Sequence, residues 1–377
     1  MKSRWWAALA VFAAACSMSS GADKTVSSGA RTLSPPSAPA ISQAADLRTH
    51  INLLLGEHVM IIAKETAAAA NHSDEYASYT ALLTTNETDL AEVMRNSFGN
   101  SSADDLARLW HLQNGYLVDY GIGVVTHNDN KSKAAIAALN SDFVPKLADL
   151  ISSVSGLSTD QVGALLTQQA GADKTFIDDI GAQKWQSIYA DLQIAYAESP
   201  RWGDALAARI AQKFPDKFPG DPTLPSVDRR VSLDLVLQQH AWLATMATEA
   251  VVAGREQDKT AASAALGLNE ALISRSLSDQ FGSSAANAFD KAWTARDAAL
   301  LSYASKGDSD SKQALTMTAS QFSSAAHIES TPVKDELAAL IKVVDDQRAK
   351  SSKTIAGDDR AAATSMQPVG DAIATAA

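Results

Sequence analysis

The chain has 377 residues, 46% of them apolar and 20% charged, with a formal net charge of -11 at pH 7 and a single cysteine. Such a composition builds packed cores and excludes wholesale disorder, and its acidic balance disfavours nucleic acid as a partner, because phosphate binding draws on clustered Lys and Arg. One Cys excludes both an internal disulfide framework and a thiolate metal cluster.

The first segment, Met1-Lys2-Ser3-Arg4, is basic, and an apolar run follows from Trp5 to Ala15. The run is about half the length a bilayer-crossing helix needs, so residues 1–15 read as a secretory signal peptide. Ala13-Ala14-Ala15 supplies the small residues a signal peptidase requires, and Cys16 follows at once. A Cys at that place resembles a bacterial lipoprotein lipobox, with Ala13 where Leu is usual, and marks Cys16 as the site of lipid attachment. An unpaired exported thiol left free would oxidise or cross-link, which favours acylation over simple cleavage.

Residues 16–45 are rich in Ser, Ala, Gly and Pro, as in Ser34-Pro35-Pro36-Ser37, and show no apolar periodicity. Such a segment buries too little surface to offset its ordering entropy, so it reads as a flexible tether with a root-mean-square reach of roughly 30 Å. The expected location is the cell envelope, membrane-anchored and facing the periplasm or the exterior. Beyond residue 45 no uninterrupted apolar run is long enough for a transmembrane helix.

From residue 46 onward the sequence reads as one unit written twice. At an offset of 183, Asn86 meets Asn269, Phe98-Gly99 meets Phe281-Gly282, Trp110 meets Trp293 and Tyr120 meets Tyr303. At 182, His58 meets His240 and Leu54-Leu55 meet Val236-Leu237; at 179, Lys133 meets Lys312 and Phe143 meets Phe322. Near the end Gly203-Asp204-Ala205 pairs with Gly370-Asp371-Ala372. An ordered series of aromatic, Gly and His matches places one copy at 46–216 and a shorter one at 228–377. The segment between them, 217–227, carries Pro219, Pro222 and Pro225 and reads as a linker.

Each copy has helical spacing. Leu47, Ile51, Leu54, Leu55, His58, Ile61 and Ile62 share one helix face; Leu106, Leu109, Trp110, Gln113, Leu117 and Tyr120 share another; Leu139, Phe143, Leu147 and Leu150 make a third. Ser158-Thr159-Asp160-Gln161 is a capping box, Thr331-Pro332 suits a first helical turn, and Gly99 and Gly282 suit helix ends closed by a left-handed glycine. Alternating β-branched runs are absent. The predicted fold is all-α: two tandem, pseudo-repeated helical bundles after the signal peptide and tether.

Motif chemistry is sparse. His-Glu-x-x-His, Gly-x-Ser-x-Gly, the phosphate loop, Gly-x-Gly-x-x-Gly and the two cysteines of a c-type haem signature do not occur. Asn128-Asp129-Asn130 and Asp308-Ser309-Asp310 fall in equivalent loops and read as helix caps, since an EF-hand's Gly and bidentate Glu are missing. One constellation stands out: His58 and His240 hold the same place on the first helix of each copy, within the apolar stripe. A neutral imidazole turned into a bundle can ligate a metal ion or haem, or it can be a core His bonded to a facing side chain. Glu57, Gln113 and Asp119 are the candidate partners of His58. Trp110, Trp293, Tyr120 and Tyr303 read as core aromatics, and His111 as a residue at the polar edge.

The segment Leu109-Trp110-x5-Tyr116-Leu117-Val118-Asp119-Tyr120, with Leu55-Gly56-Glu57-His58 and Asn86-x2-Asp89-Leu90 before it, resembles a group of secreted bacterial helical-repeat proteins often labelled copper amine oxidase-like. The resemblance covers most of 46–210 and implies a helical fold and export. In that group a His commonly stands three after the Trp; here the positions are Gln113 and Arg296. The Asn-Tyr of a copper amine oxidase cofactor site does not occur, so the resemblance implies no oxidase activity. The functional expectation is an exported, lipid-anchored envelope protein with a non-enzymatic binding or scaffolding role and an envelope protein as partner. The alternative is a metal- or haem-binding envelope protein using His58 and His240.

Overall fold

The computed structural model describes residues 41–376; the expected signal peptide, Cys16 and almost all of the tether lie outside the described residues. Helices account for nearly all of what is described, and there are no strands among those residues. The fold is all-α, as the periodicity predicts. The described residues form one compact unit, and a cluster of buried apolar side chains runs through both expected copies.

At the centre lie two 28-residue helices, α1 (Gln43–Ala70) and α9 (Pro225–Val252). They run parallel and in register. Asp46 and Arg48 of α1 face Arg230 and Asp228 of α9 at one end, and Lys64 faces Glu249 at the other. Both are buried around most of their circumference, including polar residues such as Asn52, Glu57, His58 and Lys64 on α1 and Arg230, Asp234, Gln239 and His240 on α9. Buried polar groups require partners, and this requirement organises the interior.

In the first half α2 (Tyr76–Phe98), α3 (Asn100–Val125), α4 (Asp129–Ala138), α5 (Val144–Ser155), α6 (Thr159–Gly181), α7 (Trp185–Glu198) and α8 (Pro200–Lys213) follow α1. In the second, α10 (Glu256–Phe281), α11 (Ser283–Lys306), α12 (Ser309–Ala325), α13 (Ser330–Ala349), α14 (Ile355–Thr364) and α15 (Met366–Thr375) follow α9. Helices α2, α3, α6, α7 and α8 pack on α1, and α10, α11, α13, α14 and α15 on α9. Besides the central α1–α9 pair, α7 packs on α10 and α14 packs on α2 across the halves.

Several local expectations gain a physical reason. Ser42 caps α1 by accepting from the Ala45 amide, Asn128 and Asp308 cap α4 and α12, and Ser158 caps α6. The second half starts earlier than 228, because Pro225 stands in the first turn of α9, where its missing N–H costs nothing. The helix read through Leu139 to Leu150 contains a five-residue π-helical turn, Leu139–Phe143, immediately before α5. It falls just ahead of Pro145, which cannot donate to the helix ladder. Gly99 and Gly282 do end α2 and α10, but not as left-handed caps. Their φ/ψ values of 90°/178° and 86°/164° lie in a region essentially reserved for glycine, and the next helix begins at once.

Two glycines let helices touch the central pair. A Cβ on Gly203 of α8 would stand 2.4 Å from Asn52 Oδ1 of α1, and one on Gly370 of α15 would stand 2.1 Å from Asp234 Oδ1 of α9. Each is followed by an aspartate that pairs with an arginine of the same central helix: Asp204 with Arg48 and Asp371 with Arg230.

Candidate functional site

Both histidines of interest are buried, His58 on α1 at 3% exposure and His240 on α9 at 0%. They do not converge. Each is engaged by residues of its own half, and among the described residues no three His, Cys, Asp or Glu side chains gather where a metal ion would sit.

Around His240 both ring nitrogens are engaged, although Gln239 Nε2, Arg296 Nε and Asp297 Oδ2 of the same cluster are buried without a hydrogen-bond partner among the described residues. Asn269 on α10 donates its amide to the Val236 carbonyl and to Gln239 Oε1, which leaves its own Oδ1 aimed at His240 Nδ1 at 3.1 Å. His240 Nε2 lies 3.2 Å from Asp297 Oδ1 on α11, and the Trp293 indole N–H, 3.0 Å from Nε2, points at the ring. Arg296, 1% exposed, closes the cluster. Its guanidinium pairs with Glu336 of α13, lies 3.4 Å from Asp297, and stands 5.3 Å from the Trp293 ring and 6.0 Å from the Phe322 ring. Buried cations are found where carboxylates and aromatic faces together replace water.

Around His58 the framework is the same. Asn86 on α2 donates to the Leu54 carbonyl and to Glu57 Oε1. Trp110 meets the His58 ring edge-on with centroids 5.0 Å apart, as Trp293 meets His240 at 4.5 Å. His58 Nε2 lies 2.8 Å from Asn114 Oδ1, at the position equivalent to Asp297. An amide oxygen accepts, so Nε2–H donates and the lone pair is on Nδ1. Burial holds the His58 pKa down at about 4, against a smaller opposing effect of the Asn114 bond, so the ring is neutral at physiological pH.

The filling differs. Where Arg296 occupies the second half, the first has Gln113 and a cavity of about 20 Å³. Among its lining residues are His58, Trp110, Gln113, Phe143, Gln169 and Trp202. Gln113 Oε1, Gln169 Oε1 and the Trp110 indole nitrogen are buried with no hydrogen-bond partner in the protein. Behind Gln169, its Nε2 donates to Asp173 Oδ1 at 2.7 Å, while Asp173 Oδ2 is buried and unpartnered.

Of the three expected partners of His58, only Gln113 shares its cavity. Glu57 turns away, accepting from Asn86 and pairing with Arg360 of α14 at 3.1 Å. Asp119 is on the exposed side of α3 and pairs with Lys131 at 2.6 Å. The actual partner, Asn114, adjoins Gln113 in sequence; its match to Asp297 at the offset of 183 was the available signal. His111 is exposed and lies 3.4 Å from Glu87, at the polar edge where it was expected. Trp110, Trp293, Tyr120 and Tyr303 are core residues.

Asp173 makes this half sensitive to pH. Burial raises its carboxyl to about 7, with the Gln169 bond opposing. The folded protein thus keeps the proton over a range in which the unfolded chain, titrating near 4, has lost it. The sign follows: this group favours the folded state at low pH, and its contribution declines as pH rises from about 4 through 7. Asp173→Asn, neutral throughout, is expected to gain stability relative to the native protein between pH 5 and pH 8. Urea denaturation of both proteins at the two pH values measures this; an unchanged difference would show that Asp173 does not titrate there.

A second polar cluster ties the halves together. Lys64 of α1, 2% exposed, lies 2.7 Å from Glu249 of α9 and 3.1 Å from Asp359 of α14. Asp359 accepts from the Tyr79 hydroxyl of α2, Glu249 from Arg255, and Asp258 of α10 from both Arg255 and the Tyr189 hydroxyl of α7. A narrow crevice of about 50 Å³, walled by Ala67, Trp185, Ile188 and Met246, borders this network. No helix among the described residues is long and apolar enough to cross a membrane. No protein-family profile, curated protein or solved structure matches the chain.

Proposed function

We propose that the chain is an exported cell-envelope protein, lipid-anchored through Cys16, whose helical body binds or scaffolds another envelope component. The observation that carries this reading is the order of segments: a basic start, a short apolar run, Ala13-Ala14-Ala15-Cys16, a Ser/Ala/Gly/Pro-rich stretch, and then a helical body whose first cap is Ser42. The segment after Cys16 gives the body reach from a membrane surface. The body is suited to presenting a fixed surface, because ion pairs made by the buried cations Arg230 and Lys64 hold its halves at both ends of the central helices.

We further read the two halves as copies of one unit. The support is reciprocal: Arg48 pairs with Asp204 of its own half and Asp228 of the other, while Arg230 pairs with Asp371 of its own half and Asp46 of the other.

Cys16→Ser tests the anchor. The variant is expected to leave the membrane fraction and appear in soluble envelope or culture fractions, with its helical content unchanged by circular dichroism. If it stays with the membranes as the native protein does, acylation of Cys16 is not what holds the protein there.

A further inference from the structure

The first half contains an aromatic and amide-lined cavity where the second half contains a buried guanidinium. The frameworks match residue for residue: His58 with His240, Asn86 with Asn269, Trp110 with Trp293, Asn114 with Asp297, and Phe143 with Phe322. Arg296 shows what this framework holds, a cation between the Trp293 and Phe322 rings, neutralised by Glu336 and Asp297. At Gln113 the cation is gone but much of its environment is not. The rings of Trp110, Phe143 and Trp202 line the space, and Gln113 Oε1 and Gln169 Oε1 are buried acceptors without a donor. The carboxyl of Asp173, one hydrogen bond further back, has no ion-pair partner among the described residues and one unpartnered oxygen.

We propose that the His58 cavity is a binding site for one small hydrogen-bond-donating cation, ammonium being the species that fits, held where Arg296 places its guanidinium in the other half. Size selects it. A cavity of about 20 Å³ takes one occupant of water's dimensions and excludes alkylated amines. Hydrogen bonding selects it too, since two unpartnered acceptors line the cavity, Gln113 Oε1 and Gln169 Oε1, against one unpartnered lining donor, the Trp110 N–H. Ammonium has four donors to water's two, and the aromatic faces favour a cation over a neutral molecule. The Trp110 N–H is the one group whose partner is not this occupant.

The test uses the full mature protein in detergent, titrated with ammonium chloride against sodium, potassium and tetramethylammonium chloride at equal ionic strength. Ammonium alone is expected to raise the melting temperature saturably, by about 2 °C or more at saturation. ¹⁵N-ammonium should give a separate bound resonance, and both signals should vanish in Gln169→Leu. A second variant, Gln113→Met, keeps the volume, removes the acceptor and should weaken binding at least about tenfold. If either variant fails to fold, the bound resonance of the native protein decides alone. Equal responses to potassium or tetramethylammonium, or no bound resonance, overturn the proposal and leave ordered water as the occupant.

Discussion

Lys64→Met is expected to destabilise the protein by about 3–5 kcal/mol, the usual cost of removing one partner from a buried ion pair. Lys64 is at the end of the central helix pair opposite the Arg48 and Arg230 pairs, and its ammonium reaches carboxylates on both α9 and α14. Burial alone would lower its pKa, but Asp359 and Glu249 together raise it, so it is a cation at every physiological pH. Glu249 responds in the complementary sense. Burial pushes it up, and Lys64 and Arg255 overcome that to hold it at about 2. Asp359, at 0% exposure, is instead raised by burial despite Lys64, and the Tyr79 hydroxyl is its other donor. Removing Lys64 therefore strands a fully buried carboxyl between the halves, while Glu249 retains Arg255. The double variant Lys64→Met/Asp359→Asn should recover part of the loss. Urea denaturation measures both, and a Lys64→Met cost below about 1 kcal/mol would place the pair in the class of exposed bridges.

Arg296→Met is the second large effect, again about 3–5 kcal/mol by the same mechanism. Arg296 and Glu336 are 1% and 2% exposed, and burial raises the Glu336 carboxyl against the opposing pull of Arg296. Without the guanidinium, Glu336 has no remaining cation at bonding distance among the described residues, and Asp297 keeps its contact with His240. Buried ion pairs are often replaceable by apolar residues of similar volume with little net loss. Arg296→Met/Glu336→Leu is therefore expected to be more stable than Arg296→Met. A double variant no better than the single one would show that the cost comes from lost packing against Trp293 and Phe322 rather than from the stranded charge.

These two residues mark the boundary of what the sequence makes legible. The helices are legible because their apolar positions recur at three and four. The central burial of His58 and His240 is legible because both fall within such stripes. Local chemistry, in the caps at Asn128, Ser158 and Asp308, is legible from spacing alone. Lys64, Glu249 and Asp359 are not, because their meeting depends on α1 and α9 running side by side and on α14 reaching α2, and helical period carries no information about which helices become neighbours. Asn114 was missed for a narrower reason. It is next to the stripe residue Gln113, and a turn of 100° per residue decides which of the two faces the imidazole. The reciprocal pairs of Arg48 and Arg230 were in principle readable: Asp46 and Asp228, like Arg48 and Arg230, stand 182 apart. Charged residues at helix starts are common enough that this match gained meaning only from the packing.

The cavity at His58 lies where the surroundings of the two histidines differ: Gln113 and Asn114 stand by His58, and Arg296 and Asp297 by His240.

The claim that the protein is held at a membrane by its mature amino terminus has one direct measurement, the intact mass of native protein extracted from membranes, with sequencing of its first residues. The account predicts a chain that begins at Cys16, lacks residues 1–15, and carries the added mass of a thioether-linked diacylglyceryl group. A chain that begins elsewhere, or begins at Cys16 without that mass, would contradict it.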